Sequence, residues 1–218
     1  MNITKIINEL ELTSLEGMKY VKAALKKGES EGYLPSETHV HTENSRFDSA
    51  TNVRKMVTRA KEMGIKLMAL TEHGVLTSFD SFENECRDDN PEREIIPVMG
   101  IEAYVKPLKN SPEGRSHACF YAKSDKGKKV LRKAITDSYL YSEKGVPIFN
   151  SDIILKYFAK GSEGYNEVIM TSACISGIIS NILQMDVSLP KKIGKLQEKI
   201  RSLGYSPVSE DALNEIET

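Results

Sequence analysis

The run from Ile65 to Thr71 is almost continuously apolar, interrupted only by Lys66. A strand that is buried on both faces has such a run, and parallel sheets covered by helices provide that environment. The run leads directly into Glu72, His73 and Gly74. The segment therefore predicts a central strand whose carboxyl end carries polar side chains.

Runs of the same kind recur along the chain and alternate with helical patterns. Gly64 can end the helix before Ile65, because glycine readily adopts the left-handed conformation of a helix C-terminus. Alternating strands and helices form parallel strand–helix–strand units, so we expect an α/β fold with functional groups beyond the carboxyl ends of the strands. The predicted strands are 36–41, 65–71, 95–99, 117–122 and 167–171, and the predicted helices are about 51–63, 77–88, 125–141, 151–159, 176–183 and 191–203.

The patterns divide the chain into three parts. Residues 1–30 have an apolar helical stripe after Ser14 but no histidine or cysteine, and are predicted to be a helical N-terminal appendage. Residues 36–185 contain the alternating strands and helices and are predicted to be the main domain. Residues 186–218 are predicted to be a helical C-terminal segment, with Pro190 at the start of a helix.

The composition excludes several classes of protein. With 39% hydrophobic and 28% charged residues, the chain is typical of soluble globular proteins. A formal charge of −1 gives no overall attraction to nucleic acid or membrane, so any such contact must be local. Three cysteines without a C-x-x-C spacing argue against disulfides. Since neither a signal peptide nor a membrane span is evident, we expect a cytoplasmic protein with no membrane partner.

The histidines suggest where the chemistry lies. The chain has four, and each lies in a predicted strand or just past its end. His39 and His41 are two residues apart, so a strand presents both on one face and Val40 on the other. Imidazoles with carboxylates suit Zn²⁺, Mn²⁺ or Fe²⁺ better than Mg²⁺ or Ca²⁺, which prefer oxygen ligands. The predicted converging set is His39, His41, Asp48, His73, Glu102, His117 and Cys174.

Each of these residues also has an ordinary interpretation. An H-x-H pair can be two hydrogen-bonded surface histidines, Asp48 can be a turn residue, and Cys174 can be a small buried side chain. Taken together, these interpretations would leave the placement of every histidine to coincidence. We therefore favour one metal site, at which ions would bind a phosphate ester and activate a water.

Two further features have ordinary explanations. Cys86 and Cys119 lie in helix and strand patterns and are predicted to be core residues. A basic run on the helix at 125–141 could contact phosphates, although a solvated helix face is the more frequent role. Its members are Lys126, Lys128, Lys129, Arg132 and Lys133.

Several segments resemble the polymerase-and-histidinol-phosphatase (PHP) domain, in the version found at the N-terminus of bacterial DNA polymerase III alpha subunits. The matching segments, in order, are His39–Asp48, Ala69–Gly74, Gly100–Val105, His117–Lys123 and Thr171–Gly177. The resemblance covers about residues 36–185.

The resemblance implies a distorted seven-stranded (βα)₇ TIM-like barrel, with up to three divalent ions at its mouth that hydrolyse phosphoesters. It implies the seven residues above as metal ligands, with His39, His41, Asp48 and His73 also catalytic. The implied partners are a phosphoester substrate such as a DNA 3′ end, and replication proteins. Alternatives are a catalytically inactive metal-binding or scaffolding module, and a small-molecule phosphatase similar to histidinol phosphatase.

Two departures from the family pattern affect these expectations. The family closes its site with a late Asp-x-His pair, whereas no histidine follows His117 here, so we expect fewer ions and a barrel incomplete at the C-terminus. Glu72 replaces the more usual aspartate before His73 and is expected to lie outside the ligand set. No polymerase module is recognisable in the sequence.

Overall fold

The computed structural model describes residues 35–45, 48–106 and 115–177, residues 180 and 181, and isolated positions between 191 and 201. The predicted appendage at 1–30 lies outside these residues, as does most of the predicted segment at 186–218. The helices are α1 (Val53–Met63), α2 (Phe79–Cys86), α3 (Asp125–Ser138) and α4 (Ser151–Tyr157), and a 3₁₀ turn covers Tyr139–Tyr141. The strands are β1 (Ser36–Val40), β2 (Leu67–Leu70), β3 (Ile96–Lys106), β4 (Ser116–Ala122), β5 (Ile148–Asn150) and β6 (Val168–Thr171).

Side-chain caps set three of the helix starts. Asn52 accepts a hydrogen bond from the backbone N–H of Lys55 (2.9 Å), and Ser124 accepts one from Gly127 (3.1 Å). Asn150 caps α4 in the same way. These bonds satisfy amide groups that have no partner inside the helix. Gly64 ends α1 with φ 79°, the left-handed conformation predicted for it.

The strands form one mixed sheet in the order β1-β2-β3-β4-β6, with β5 paired to β3. Strands β1, β2 and the first half of β3 are parallel, as predicted. The second half of β3 is antiparallel to β4 and parallel to the three-residue β5, and β4 is antiparallel to β6. The fold is therefore α/β, and among the described residues β1 and β6 lie at opposite ends of the sheet path.

The expectation of parallel strands throughout is wrong for β4 and β6. A parallel connection needs a crossover of a dozen or more residues, usually a helix, whereas antiparallel neighbours need only a short loop. The sequence between Lys106 and Ser116 is rich in proline, glycine and serine and has no helical pattern. Strand β3 therefore returns directly as β4, which brings Glu102 opposite Cys119.

Apolar side chains of the helices pack on the sheet and form the core. The predicted inward face of α1, Val53, Val57 and Ala60, is buried. Farther along the chain, Phe120 lies 5.2 Å from Phe149 and 4.9 Å from Phe158 between ring centroids. This packing joins β4 and β5, both of which pair with β3.

The sequence also makes predictions about disulfides and membrane-spanning helices. Cys86, Cys119 and Cys174 are all free thiols. Within the described part of the chain, every helix is too short or too polar to cross a bilayer.

Candidate metal centre

The end of β1 places two histidines side by side. His39 and His41 share one face, and their Nε2 atoms are 3.2 Å apart. Val40 points the other way and packs against the core. The alternation seen in the sequence is therefore the reason that both imidazoles face the same space.

Glu102 of β3 lies at the centre of the histidine cluster. Its side chain is only 2% exposed, and Oε2 lies 3.1 Å from His39 Nε2, 3.0 Å from His41 Nε2 and 3.3 Å from His73 Nε2. The other carboxylate oxygen, Oε1, lies 3.1 Å from Nδ1 of His117. One carboxylate thus contacts all four histidines of the chain.

Two further predicted residues complete the cluster. Asp48 Oδ2 lies 2.8 Å from His73 Nε2, and Cys174 Sγ lies 3.4 Å from His117 Nδ1. The structure therefore brings together all seven residues singled out from the sequence. His117, the second residue of β4, belongs to the cluster because β4 runs antiparallel and starts at the end where β1 and β2 finish.

The carboxylates and histidines shift one another's ionisation. Burial alone would raise the pKa of Glu102, but hydrogen bonds from His117, His39 and His41 hold that pKa well below its usual range. Contacts with Cys119 and then Glu102 raise the pKa of His39 to about 10. Burial, assisted by the neighbouring His41 and His117, lowers the pKa of His73 despite the nearby carboxylates. Glu102 and His39 are therefore held in their charged forms, whereas burial disfavours the charged form of His73.

A network beneath the cluster fixes the tautomer of His41. The Ser45 hydroxyl donates its one proton to the buried Glu72 carboxylate, so it can only accept from His41 Nδ1, 3.0 Å away. Nδ1 of His41 then carries a proton, and Nε2 is the ring nitrogen that faces Glu102, 3.0 Å away. Either a proton or a divalent metal ion on Nε2 satisfies the neighbouring carboxylate.

A buried imidazole nitrogen without a partner also fits a divalent metal at this cluster. Nδ1 of His73 is buried and has no hydrogen-bond partner among the described residues. Buried polar atoms are nearly always paired, so an unpaired imidazole nitrogen in this cluster is consistent with an absent ligand. Three sets have ligand atoms that all lie within 4.8 Å of one another: His41, His73 and Glu102; Glu102, His117 and Cys174; and His39, Glu102 and Cys119.

Sequence reasoning missed the position of Cys119. It is fully buried, as predicted for a core residue, but it faces Glu102 and His39 rather than an apolar core alone. The signal was available in the H-x-C spacing of His117 and Cys119, because residues two apart in a strand share a face. Tyr104, whose ring stacks on that of His73 at 5.4 Å, was likewise not singled out.

The basic run of α3 is engaged mainly in surface ion pairs. Lys128 lies 3.2 Å from Glu83, and Lys133 lies 2.8 Å from Glu163. Lys126 and Arg132 also have carboxylate neighbours, Glu167 and Asp80. These contacts favour the interpretation as a solvated helix face over contact with phosphates.

Comparison with known proteins identifies the family of the chain. The family model described as PHP domain matches residues 37–206, which include all seven clustered residues. This chain belongs to the PHP domain family. The match begins at β1 and extends beyond β6, so the family assignment rests on the part of the chain that builds the metal centre.

The curated relatives of this PHP domain include DNA polymerase III alpha subunits. The chain is 29% identical over 160 residues to that of Helicobacter pylori and 34% identical over 152 residues to that of Borreliella burgdorferi, which covers 72% and 66% of the chain. It spans only 12% of the length of either relative. Among solved structures, an amidohydrolase from Chromobacterium violaceum aligns with 84% of this chain and 81% of its own at 13% identity and a TM-score of 0.40.

Proposed function

We propose that this PHP domain binds divalent metal ions through the seven clustered residues and hydrolyses phosphoesters. The observation that carries the proposal is the contact of one buried carboxylate, Glu102, with all four histidines. Such a concentration of ligand groups is difficult to explain as a stabilising feature, because burying polar and charged groups is costly without a compensating charge.

The residues divide into two groups around Glu102. Oε2 faces His39, His41 and His73, whereas Oε1 faces His117 and, beyond it, Cys174. Glu102 would therefore hold metal ions together with the ligands of both groups. Bound Zn²⁺, Mn²⁺ or Fe²⁺ would supply Lewis acidity toward a phosphoryl oxygen and a water made acidic enough to attack phosphorus.

Asp48 is suited to act as the general base. Its side chain is 48% exposed, in contrast to the buried Glu102, and its Oδ2 lies 2.8 Å from His73. It therefore lies at the solvent side of the cluster, where a carboxylate can accept the proton that an attacking water releases. His73 holds Asp48 in place through this contact.

The proposal extends to the complete fold, the substrate and the partners. We propose that the mixed sheet is part of a distorted (βα)₇ barrel that is incomplete within this chain. The substrate would be a phosphodiester such as a DNA 3′ end, and replication proteins would be partners, because the relatives are DNA polymerase subunits by name. Cytoplasmic location is part of the same proposal.

Metal content and turnover test the proposal together. The protein is purified without chelator, its metals are quantified by elemental analysis, and hydrolysis is assayed with Mn²⁺, Zn²⁺ or Fe²⁺. The substrates are a chromogenic phosphodiester, a chromogenic phosphomonoester and a 3′-recessed DNA duplex. Turnover of the duplex and the diester supports the proposed activity, and exclusive turnover of the monoester supports a small-molecule phosphatase instead.

Variants separate catalysis from scaffolding. His41→Ala should lose bound metal and turnover while keeping the circular dichroism of the parent, and the exposed Glu163→Gln should change neither. Metal binding without turnover of any substrate would contradict the hydrolytic proposal and favour a metal-binding scaffold. Unchanged metal stoichiometry in His41→Ala would contradict the ligand assignment.

A further inference from the structure

A second thiol, Cys119, lies in the metal centre at the end opposite Cys174. Cys119 is directly across from Glu102 in the antiparallel β3–β4 pair, so both side chains project from the same face of the sheet. Both residues are buried, Glu102 with 1% and Cys119 with 0% of their surface exposed. Strand pairing therefore fixes the thiol beside the central carboxylate.

Cys119 and its immediate neighbours provide three kinds of metal ligand. One ligand atom each of His39, Glu102 and Cys119 lie within 4.8 Å of one another, and His39 Nε2 is 3.1 Å from Glu102 Oε2. Imidazole nitrogen, carboxylate oxygen and thiolate sulfur are the ligands of protein-bound zinc. The set of Glu102, His117 and Cys174 repeats this composition on the other side of the carboxylate.

The end of the cluster near Cys119 can be reached from solvent. A cavity of about 430 Å³ is lined by His39, Tyr121 and Thr171, and Thr171 is the strand partner of Cys119. A metal ion could therefore approach along His39 although Cys119 itself is buried. Cys86, which is equally buried, lies on the inward face of α2 and belongs to none of the three ligand sets found among the described residues.

We propose that Cys119 binds a metal ion together with His39 and Glu102, at a position distinct from the one formed by Glu102, His117 and Cys174. This inference rests on the proposed metal binding of the domain. On binding, the sulfur–metal bond forms and the thiol proton passes to solvent, with no change of oxidation state. Glu102 would thus share one metal ion with Cys119 and another with Cys174.

Cobalt substitution tests the assignment, because a thiolate bound to Co²⁺ gives a near-ultraviolet charge-transfer band that imidazole and carboxylate ligands lack. The apoprotein is titrated with Co²⁺ as parent, Cys174→Ser, Cys119→Ser and the double variant. We expect the band to persist at reduced intensity in each single variant and to vanish in the double variant. Cys86→Ser is the matched control for loss of a buried thiol and should keep the full band and metal stoichiometry.

The outcomes separate this inference from the proposed function. If Cys174→Ser binds Co²⁺ but has no thiolate band, Cys119 is not a ligand, while metal binding by the domain stands. The Cys174→Ser variant keeps Cys119, so its Co²⁺ spectrum tests Cys119 even if Cys119→Ser fails to fold. If the parent binds no Co²⁺, Zn²⁺ or Mn²⁺, both proposals are overturned. Loss of about one equivalent of Zn²⁺ in a folded Cys119→Ser protein would support the inference by an independent measurement.

Discussion

The Ser45 hydroxyl donates a hydrogen bond to the Glu72 carboxylate directly beneath the histidine cluster. The same oxygen lies 3.0 Å from Nδ1 of His41 and accepts the backbone N–H of His73 at 3.0 Å. Ser45 therefore connects a buried carboxylate with two of the proposed metal ligands. Groups that hold a ligating imidazole by its second nitrogen fix its tautomer and raise its basicity.

Replacement of Ser45 should weaken metal binding more than it weakens the fold. In Ser45→Ala, His41 Nδ1 loses its acceptor, so the tautomer that presents Nε2 to the metal is no longer selected. We expect metal affinity to fall by about 10- to 100-fold, the usual effect of removing such a support. Competition with a chromogenic chelator measures the affinity. The exposed Ser142→Ala is the control, and equal affinities for both variants would contradict the positioning role of Ser45.

Glu72 should contribute to stability rather than to ligation. Its carboxylate accepts hydrogen bonds from the hydroxyls of Thr42, Ser45 and Ser78 and from the backbone N–H of Thr42. In Glu72→Gln an amide NH₂ faces these donors, so at least one buried donor loses its acceptor. We expect the free energy of unfolding to fall by about 1–3 kcal/mol. Urea denaturation of the apoprotein measures it.

The control for Glu72 is Glu163→Gln, because Glu163 is exposed and pairs only with Lys133 among the described residues. Exposed ion pairs contribute about 0–1 kcal/mol, so this variant should resemble the parent. A Glu72→Gln protein as stable as Glu163→Gln would show that the hydroxyl network does not depend on the carboxylate charge.

Metal should stabilise the fold, and acid should reverse the effect. An ion that binds only the native state adds about 2.7 kcal/mol to the free energy of unfolding when its free concentration is 100 times its dissociation constant. We therefore expect Mn²⁺ or Zn²⁺ to raise Tm and EDTA to lower it. Because histidine must be neutral to bind metal, the rise should diminish as pH falls. Thermal scans with and without metal measure this, and a metal-induced rise that survives in His41→Ala would contradict the proposed site.

The cluster could be anticipated from sequence because strand geometry dictates much of it. His39 and His41 share a face by alternation, and His73 and Glu102 follow from the parallel strands β2 and β3. The H-x-C spacing of His117 and Cys119 carried the same information, but burial in an apolar strand made Cys119 resemble an ordinary core residue. A thiol is compatible with both environments, so its neighbours decide its role.

The direction of β4, the existence of β5 and the Glu72 network depend on tertiary contacts, which no local sequence pattern reports. The antiparallel return of β4 agrees with a linking sequence that is short and rich in proline, glycine and serine, whereas the alternation of strands and helices elsewhere predicts one topology throughout. Strand β5 has only three residues and is held by pairing with β3, so its own sequence is too short to signal a strand. The Glu72 network joins residues about 30 positions apart through the tertiary fold.

Gly127 in the first turn of α3 should be sensitive to substitution for a reason outside the helix. Alanine normally favours a helix over glycine by about 1 kcal/mol. Here a Cβ atom at position 127 would clash with the backbone oxygen of Glu167, at the entrance to β6. Since a backbone oxygen cannot swing away as a side chain can, α3 and β6 would have to separate. We expect Gly127→Ala to lower the free energy of unfolding by about 1–3 kcal/mol, the usual cost of overpacking.

The matched control for Gly127 lies two residues away on the same helix. Lys129 is exposed, so Lys129→Ala tests helix propensity without a new contact and should leave stability within about 0.5 kcal/mol of the parent. Both variants are compared by urea denaturation of the apoprotein, which keeps metal binding out of the measurement. A Gly127→Ala protein more stable than the parent would mean that helix propensity outweighs the contact and that β6 does not pack on α3 as closely as the structure indicates.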